Sequence, residues 1–295
     1  MTWQQLTLYS PASHVDEISD LLTNAGAIAV TLESGGQEAL FEPPPGATPL
    51  WQHTKIAALF EEGANLGRVI SFLKMAVPPH IPLVPKISTI EERDWQQVCE
   101  AQFKPICFRD KLWICPSWHD VPDKKIPYVI LDPGLAFGTG SHPTTALCLE
   151  WLVDHVKPGD TVIDYGCGSG ILGISAIKLG ATKVWAIDND PQALQATQEN
   201  ALRNNINRDT LTAALPNALP NIQCDLLVAN ILANPLVELA PHFATLIKSG
   251  GGIALSGILH SQIDAIENAY APWFQLKVPI LNEEWVRISG RKHHE

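Results

Sequence analysis

A chain of 295 residues with 46% hydrophobic and 17% charged residues has a globular composition and the length of about two domains, which excludes disordered or fibrous classes. Its formal charge of −11, from 31 acidic and 20 basic side chains, disfavours sequence-independent binding to phosphate backbones and is compatible with a basic protein partner. Six cysteines, at 99, 107, 115, 148, 167 and 224, form no C-x-x-C pair and meet no histidine at zinc-finger spacing, so reduced thiols and no metal site are expected. The start, Met1-Thr2-Trp3-Gln4-Gln5, lacks a signal-peptide pattern, and no stretch approaches the ~18 apolar residues of a membrane span. A cytoplasmic protein without membrane contact is the expectation.

In chain order, residues 3–9 have strand character. From Pro11 to Ala25, Val15, Ile18, Leu21 and Leu22 recur at helical spacing, with Gly26 as a natural stop. Strand-like residues 28–34, a turn-rich stretch around Pro43-Pro44-Pro45-Gly46 and a strand-like segment at 54–60 follow. A second helix is predicted over 64–76, with Leu66, Val69, Ile70 and Leu73 on one face, and residues 86–91 close the set. The order β-α-β-β-α-β is the ferredoxin-like motif. Residues 92–105 read as a helical connector with Trp95, Val98 and Phe103 available for docking and Pro105 at its end. The expected division is a domain over 1–92, a linker over 93–105 and a second domain over 106–295.

From about residue 126, strands predicted at 161–165, 183–188, 225–230 and 251–257 alternate with helices at 143–155, 170–179, 191–204 and 234–248. That alternation specifies a parallel sheet with crossover helices, a doubly wound α/β fold. Segments 273–280 and 284–290 have no helix between them and are expected to finish the sheet as an antiparallel hairpin.

Four segments carry chemistry. In TVIDYGCGSGILGISAIKLG (161–180) an apolar strand ends at Asp164, a glycine cluster follows, and a helix opens at Ile171. Gly166 and Gly168 allow close backbone approach to a ligand, and the free N–H groups of the helix start favour negative charge. The spacing is G-x-G-x-G, with Ile171 where a dinucleotide fingerprint would have its last glycine, so it leans toward S-adenosylmethionine. The loop alone does not separate the two cofactors, and a tight turn without a ligand is the remaining alternative. In KVWAIDNDPQALQATQENALRNN (183–205) Asp188 stands at the end of the second strand, where a carboxylate accepts hydrogen bonds from ribose hydroxyls; Asp190 and Pro191 read as the cap and first residue of a helix.

The third segment, CDLLVANILANPLVELAP (224–241), delivers Asn230 to the same edge of the sheet. Its side-chain carbonyl could orient an attacking amine; capping of the next helix is an equal alternative. The fourth, LDPGLAFGTGSHPTTALCLEWL (131–152), is glycine-rich and leads into a helix at His142-Pro143-Thr144-Thr145, with Ser141 as a candidate cap, His142 read as structural, and the loop read as a ligand-covering lid.

At these four segments, through D-P-G-L-A-F-G-T-G-S-H-P-T-T, D-Y-G-C-G-S-G-I-L, A-I-D-N-D-P and N-I-L-A-N-P-L, and also at L-W-I-C-P-S-W (112–118) and W-V-R-I-S-G-R-K (285–292), the chain resembles the bacterial methyltransferases of large-subunit ribosomal protein L11. The resemblance covers essentially the whole chain. It implies a Rossmann-like class I methyltransferase sheet preceded by a ferredoxin-like substrate-recognition domain on a mobile linker. The implied reaction is methylation of lysine side chains and the N-terminal α-amine of L11, up to trimethylation, by a monomer that does not bind nucleic acid directly. S-adenosyl-L-methionine is the implied cofactor and S-adenosyl-L-homocysteine the product. The family's cofactor positions fall on Thr145, Gly166, Asp188 and Asn230. Gly168 joins them from the loop reading, and Asn230 is the candidate catalytic residue.

Overall fold

The computed structural model describes residues 2–36, 49–78, 81, 83–91, 103–133 and 140–294. The chain divides into two compact units, Met1–Gln97 and Val98–Glu295. The turn-rich stretch at 43–46 and the linker residues 93–102 lie outside the described residues, as do 134–139 of the glycine-rich loop.

In the first unit, β1 (Thr2–Pro11) is followed by a 3-10 turn (Ala12–His14) and α1 (Val15–Asn24), a later helix start than the sequence suggests. Gly26, at φ 98°, turns the chain out of it. Next come β2 (Ala29–Ser34), β3 (His53–Glu61), α2 (Leu66–Ala76) and β4 (Lys86–Glu91). Asn65 caps α2 by accepting the Arg68 N–H at 3.0 Å, which moves its start from 64 to 66. The sheet order is β2-β3-β1-β4, with every neighbouring pair antiparallel. One face of the sheet buries Leu6, Leu8, Ile56, Ala58 and Phe60 against Val15, Ile18 and Leu22 of α1 and Leu66, Val69 and Leu73 of α2. Each large side chain so buried contributes about 1.5–3 kcal/mol.

The second unit opens with a small sheet that the sequence reading missed. It comprises β5 (Ile106–Phe108), β6 (Leu112–Cys115) and β7 (Tyr128–Ile130), in that order. These strands are three or four residues long, too short for a period-2 pattern to register. The main elements follow as α3 (Pro143–His155), β8 (Thr161–Tyr165), α4 (Ile171–Lys178), β9 (Lys183–Ile187), α5 (Pro191–Arg203), β10 (Leu211–Ala214), β11 (Cys224–Asn230), α6 (Ala233–Leu246) and β12 (Ile247–Leu259). After them come α7 (Ile263–Tyr270), β13 (Phe274–Leu276), β14 (Ile280–Asn282) and β15 (Trp285–Lys292).

The main sheet runs β10-β9-β8-β11-β12-β15-β13, parallel as far as β12 and antiparallel beyond it. Its two faces are covered separately. Trp151, Leu172 and Ile174 belong to one core cluster, and Leu236, Phe243 and Tyr270 to the other. The parallel α/β sheet of the sequence reading is therefore present, with three corrections. The helix expected over 234–248 stops at Leu246, because Ile247 already belongs to a strand that runs to Leu259. The short helix α7 and edge strand β10 were not anticipated. The segment 273–280 is two strands rather than one: β13 and β14 each pair with β15, and Pro279, which has no N–H for a ladder, separates them. No helix of the described residues is long and apolar enough to cross a membrane.

Candidate active site

Three adjacent strands, β9, β8 and β11, end at the same edge of the sheet. β8 is the first of the parallel strands in sequence, and the chain winds outward from it both ways. A ligand crevice forms at such a reversal, beyond the carboxyl ends of the strands. Asp188 follows β9, Tyr165-Gly166 ends β8, and Asn230 ends β11.

The glycine loop is folded tightly. Gly166 and Cys167 donate to the Ile187 carbonyl at 2.7 and 3.0 Å, and Gly170 donates to the Cys167 carbonyl at 2.7 Å. Gly166 has φ 80°, and a Cβ there would collide with Ile231 Cγ2, so the position demands glycine twice over. Asp188 braces the loop. One carboxylate oxygen accepts the Gly168 N–H at 2.9 Å and the other the Asp190 N–H at 3.0 Å. Each oxygen keeps a lone pair for a hydroxyl. Asp190 caps α5, accepting the Gln192 N–H at 2.8 Å with Pro191 at the first helical position, as the sequence suggests.

At β11 the two readings of Asn230 separate. The following helix has Leu232 at its N-cap and no side-chain cap, so Asn230 is not the cap. Its Nδ2 donates instead to Thr145 Oγ1 at 3.3 Å, joining two residues 85 apart in sequence. Thr145 is only 1% exposed, on the first turn of α3. The cap of that helix also differs from expectation. His142 Nδ1, not Ser141, accepts the Thr144 N–H, at 3.3 Å, and lies 2.7 Å from Thr144 Oγ1. The structural reading of His142 holds in this respect.

A cavity of 580 Å³ is lined by His142, Gly166, Gly168, Asp188, Asn230 and Trp285, among others. A neighbouring cavity of 670 Å³ shares Gly168 and Asp188 but runs along α5 past Asp190, Gln192 and Glu199, away from Asn230. Only the first gathers the ends of all three strands. It also holds residues that the sequence did not single out. Trp285 of β15 packs its ring edge-on against His142 at 5.3 Å. Gly257 of β12, at φ 85°, leaves room for Ile231, whose carbonyl a Cβ would strike. A Ser-Gly-Ile step in a buried strand was the available signal for Gly257, since an isolated strand glycine marks a close approach.

Two ionisable groups at the loop, Asp164 and Cys167, are buried. Burial pushes the Asp164 carboxyl up to about 7, against the opposing Gly173 N–H that it accepts at 2.8 Å; its Oδ1 has no hydrogen-bond partner among the described residues. Burial likewise raises the thiols of Cys167 and, to about 12, Cys148. The described cysteines are free thiols. Among the described residues no His, Cys, Asp and Glu cluster could hold a metal.

The arrangement fits a nucleoside-bearing ligand. A glycine-only turn leaves space beside the loop, a carboxylate stands at the end of the second strand, and the cavity continues to a polar amide at the third. This is the fold of a class I methyltransferase. Comparison with known proteins narrows the class. The profile of the ribosomal protein L11 methyltransferase (PrmA) family matches residues 2–293. The chain is 48% identical over 291 residues to the ribosomal protein L11 methyltransferase of Shewanella woodyi, covering 98% of this chain and 99% of that protein. It is 43% identical over 295 residues to that of Marinobacter nauticus, covering 99% of each. The crystal structure of a ribosomal protein L11 methylase from Lactobacillus delbrueckii subsp. bulgaricus superposes with a TM-score of 0.58 at 35% identity, over 65% of this chain and all of that one. The chain belongs to the ribosomal protein L11 methyltransferase family. Family and fold together imply the use of S-adenosylmethionine.

Proposed function

We propose that this protein transfers methyl groups from S-adenosylmethionine to amino groups of ribosomal protein L11, on lysine side chains and at the N-terminus, up to trimethylation. The observation that carries the reading is the meeting of Gly166, Asp188 and Asn230 around one cavity, in a chain matched along its length by this family.

In this reading Gly166, Gly168, Asp188, Thr145 and Asn230 hold the cofactor. Asp188 would receive the ribose hydroxyls, and the backbone of Gly166 and Gly168 would lie against the cofactor. When bound, the cofactor supplies an electrophilic methyl group on a sulfonium. A lysine amine is mostly protonated at neutral pH, with an ordinary pKa of about 10.4, so it must reach the site neutral, having lost its proton to water. With Nδ2 turned to Thr145, the Asn230 Oδ1 accepts a hydrogen from the amine in the first two transfers and aims its lone pair; the dimethylamine entering the third has no N–H and is held by the cavity's shape. The amine nitrogen forms the new N–C bond as the S–C bond breaks, leaving S-adenosylhomocysteine. Trp285 and His142 wall the cavity against water, and the reaction rests on positioning.

The first unit, with its β-α-β-β-α-β order, is read as a ferredoxin-like substrate-recognition domain over 1–92, joined through 93–105 to the catalytic domain over 106–295. A cytoplasmic monomer without direct nucleic-acid contact fits this role, and the net charge of −11 suits a Lys-rich protein substrate. The test is mass spectrometry of a ribosomal protein mixture incubated with enzyme and methyl-labelled cofactor. Label on L11 amines is expected; label on RNA or small molecules and on no protein would overturn the proposal.

A further inference from the structure

α5 carries a row of polar side chains where a helix packed on a sheet ordinarily presents apolar ones. Thr197, Asn200 and Asn204 stand at i, i+3 and i+7, so they share one face. Thr197 is fully buried, and its hydroxyl donates to the Gly168 carbonyl at 3.0 Å, with Cys167 Sγ at 3.2 Å. Asn200 Nδ2 donates to the Ser169 carbonyl at 2.9 Å. Asn204, 3% exposed, grips β7 at both backbone groups of Ile130. Its Nδ2 donates to the carbonyl at 2.8 Å, and its Oδ1 accepts the N–H at 2.7 Å. Beside it, Arg203 Nη1 reaches Asp132 at 2.8 Å, and Asp132 also accepts from the Ser117 N–H and hydroxyl at 2.7 and 2.9 Å.

We infer that Thr197, Asn200 and Asn204 are positioning residues for cofactor binding, a polar strut that sets the peptide planes of the glycine loop and ties that loop to β7. The chemistry of the bonds supports a directional role rather than a packing one. Apolar side chains in this row would bury as much surface but take away the hydrogen-bond donors that Thr197 and Asn200 turn toward the Gly168 and Ser169 carbonyls, and with them the constraint on those peptide planes. Gly168 is held at both ends: its N–H by Asp188, which precedes α5, and its C=O by Thr197 within it. A rotation of either peptide moves the backbone that must face the cofactor. The same helix fixes Ile130 and Asp132, so the glycine loop and β7 share one anchor.

This inference rests on the loop being the cofactor site, and the experiment separates the two. Cofactor Kd by calorimetry, together with KM and kcat, is measured for Thr197→Val, Thr197→Ser, Asn200→Asp and Asp188→Ala. Valine keeps the shape of threonine without its donor, and serine keeps the donor without the methyl. Loss of one such hydrogen bond predicts cofactor Kd and KM raised about tenfold in Thr197→Val and Asn200→Asp, with kcat at saturating cofactor within about twofold of wild type and Thr197→Ser near wild type. A fall in Tm with unchanged cofactor Kd in both variants would overturn the strut and leave a merely structural row. Unchanged Kd in Asp188→Ala would overturn the loop as the cofactor site. Weakened Kd in Asp188→Ala beside wild-type Kd in Thr197→Val and Asn200→Asp would sink the strut alone.

Discussion

The two ends of the cavity are built to different tolerances. At the glycine loop, Gly166, Cys167, Gly168 and Gly170 all donate backbone N–H groups within 3.0 Å, and the turn admits no side chain at Gly166. At the other end Asn230 is held by a side-chain bond of 3.3 Å to Thr145, beyond the usual range for N–H···O. A rigid cradle faces a lightly held amide. The contrast suits a division of labour in which the loop fixes a ligand of constant shape and the amide adjusts to an amine that changes as methyl groups are added.

Substitutions can break this contrast, and the largest effect belongs to the rigid end. Gly166→Ala places a Cβ against Ile231 Cγ2 at a φ that alanine resists, and should weaken cofactor binding by more than about 100-fold. Calorimetry reads this directly, and Ile231→Ala in the same chain should recover part of the loss. Binding within about threefold of wild type in Gly166→Ala would mean that the loop is not the rigid end. A smaller effect is expected at the lightly held end. Thr145→Val removes the acceptor of the Asn230 amide at constant shape, and should lower kcat about three- to tenfold while cofactor Kd moves less. A Kd change exceeding the kcat change would leave Thr145 with cofactor binding alone and no part in orienting Asn230.

The smallest effect sharpens the picture beneath the loop. Asp164 titrates near 3.8 when unfolded and at about 7 when folded, so between those values the folded state holds a proton that the unfolded state has lost. Its contribution to stability therefore falls as pH rises through that interval and is level above it. Asp164→Asn keeps an acceptor for the Gly173 N–H and removes the titration. The variant should gain several degrees in Tm relative to wild type on going from pH 5 to pH 8. A Tm difference independent of pH would show that Asp164 does not titrate there.

How far this was legible depends on where each residue sits in the chain. Asp164, Asp188 and Asn230 end apolar strands, so the strand pattern alone brought them to one edge. Thr145 looks like an ordinary helix residue and came only from the family resemblance. Trp285 and Gly257 reach the cavity from β15 and β12, more than 85 residues beyond the glycine loop, and no local pattern places them at the same cavity. The capping of α3 was misassigned because serine is the common cap, whereas here the ring nitrogen of His142 takes that place. In the first unit the alternation of apolar residues was enough for the element order, but the strand order β2-β3-β1-β4 needed the pairing itself. The small β5–β7 sheet escaped because strands so short carry no periodicity.

The most direct test of Asn230 as the methyl-transfer residue is the turnover of Asn230→Ala on L11 with cofactor and substrate both saturating. The account predicts kcat reduced by about 100-fold, the loss expected when a reacting group is misoriented, and a smaller weakening of cofactor Kd, since Asn230 also helps hold the cofactor. Full turnover in that variant would contradict it.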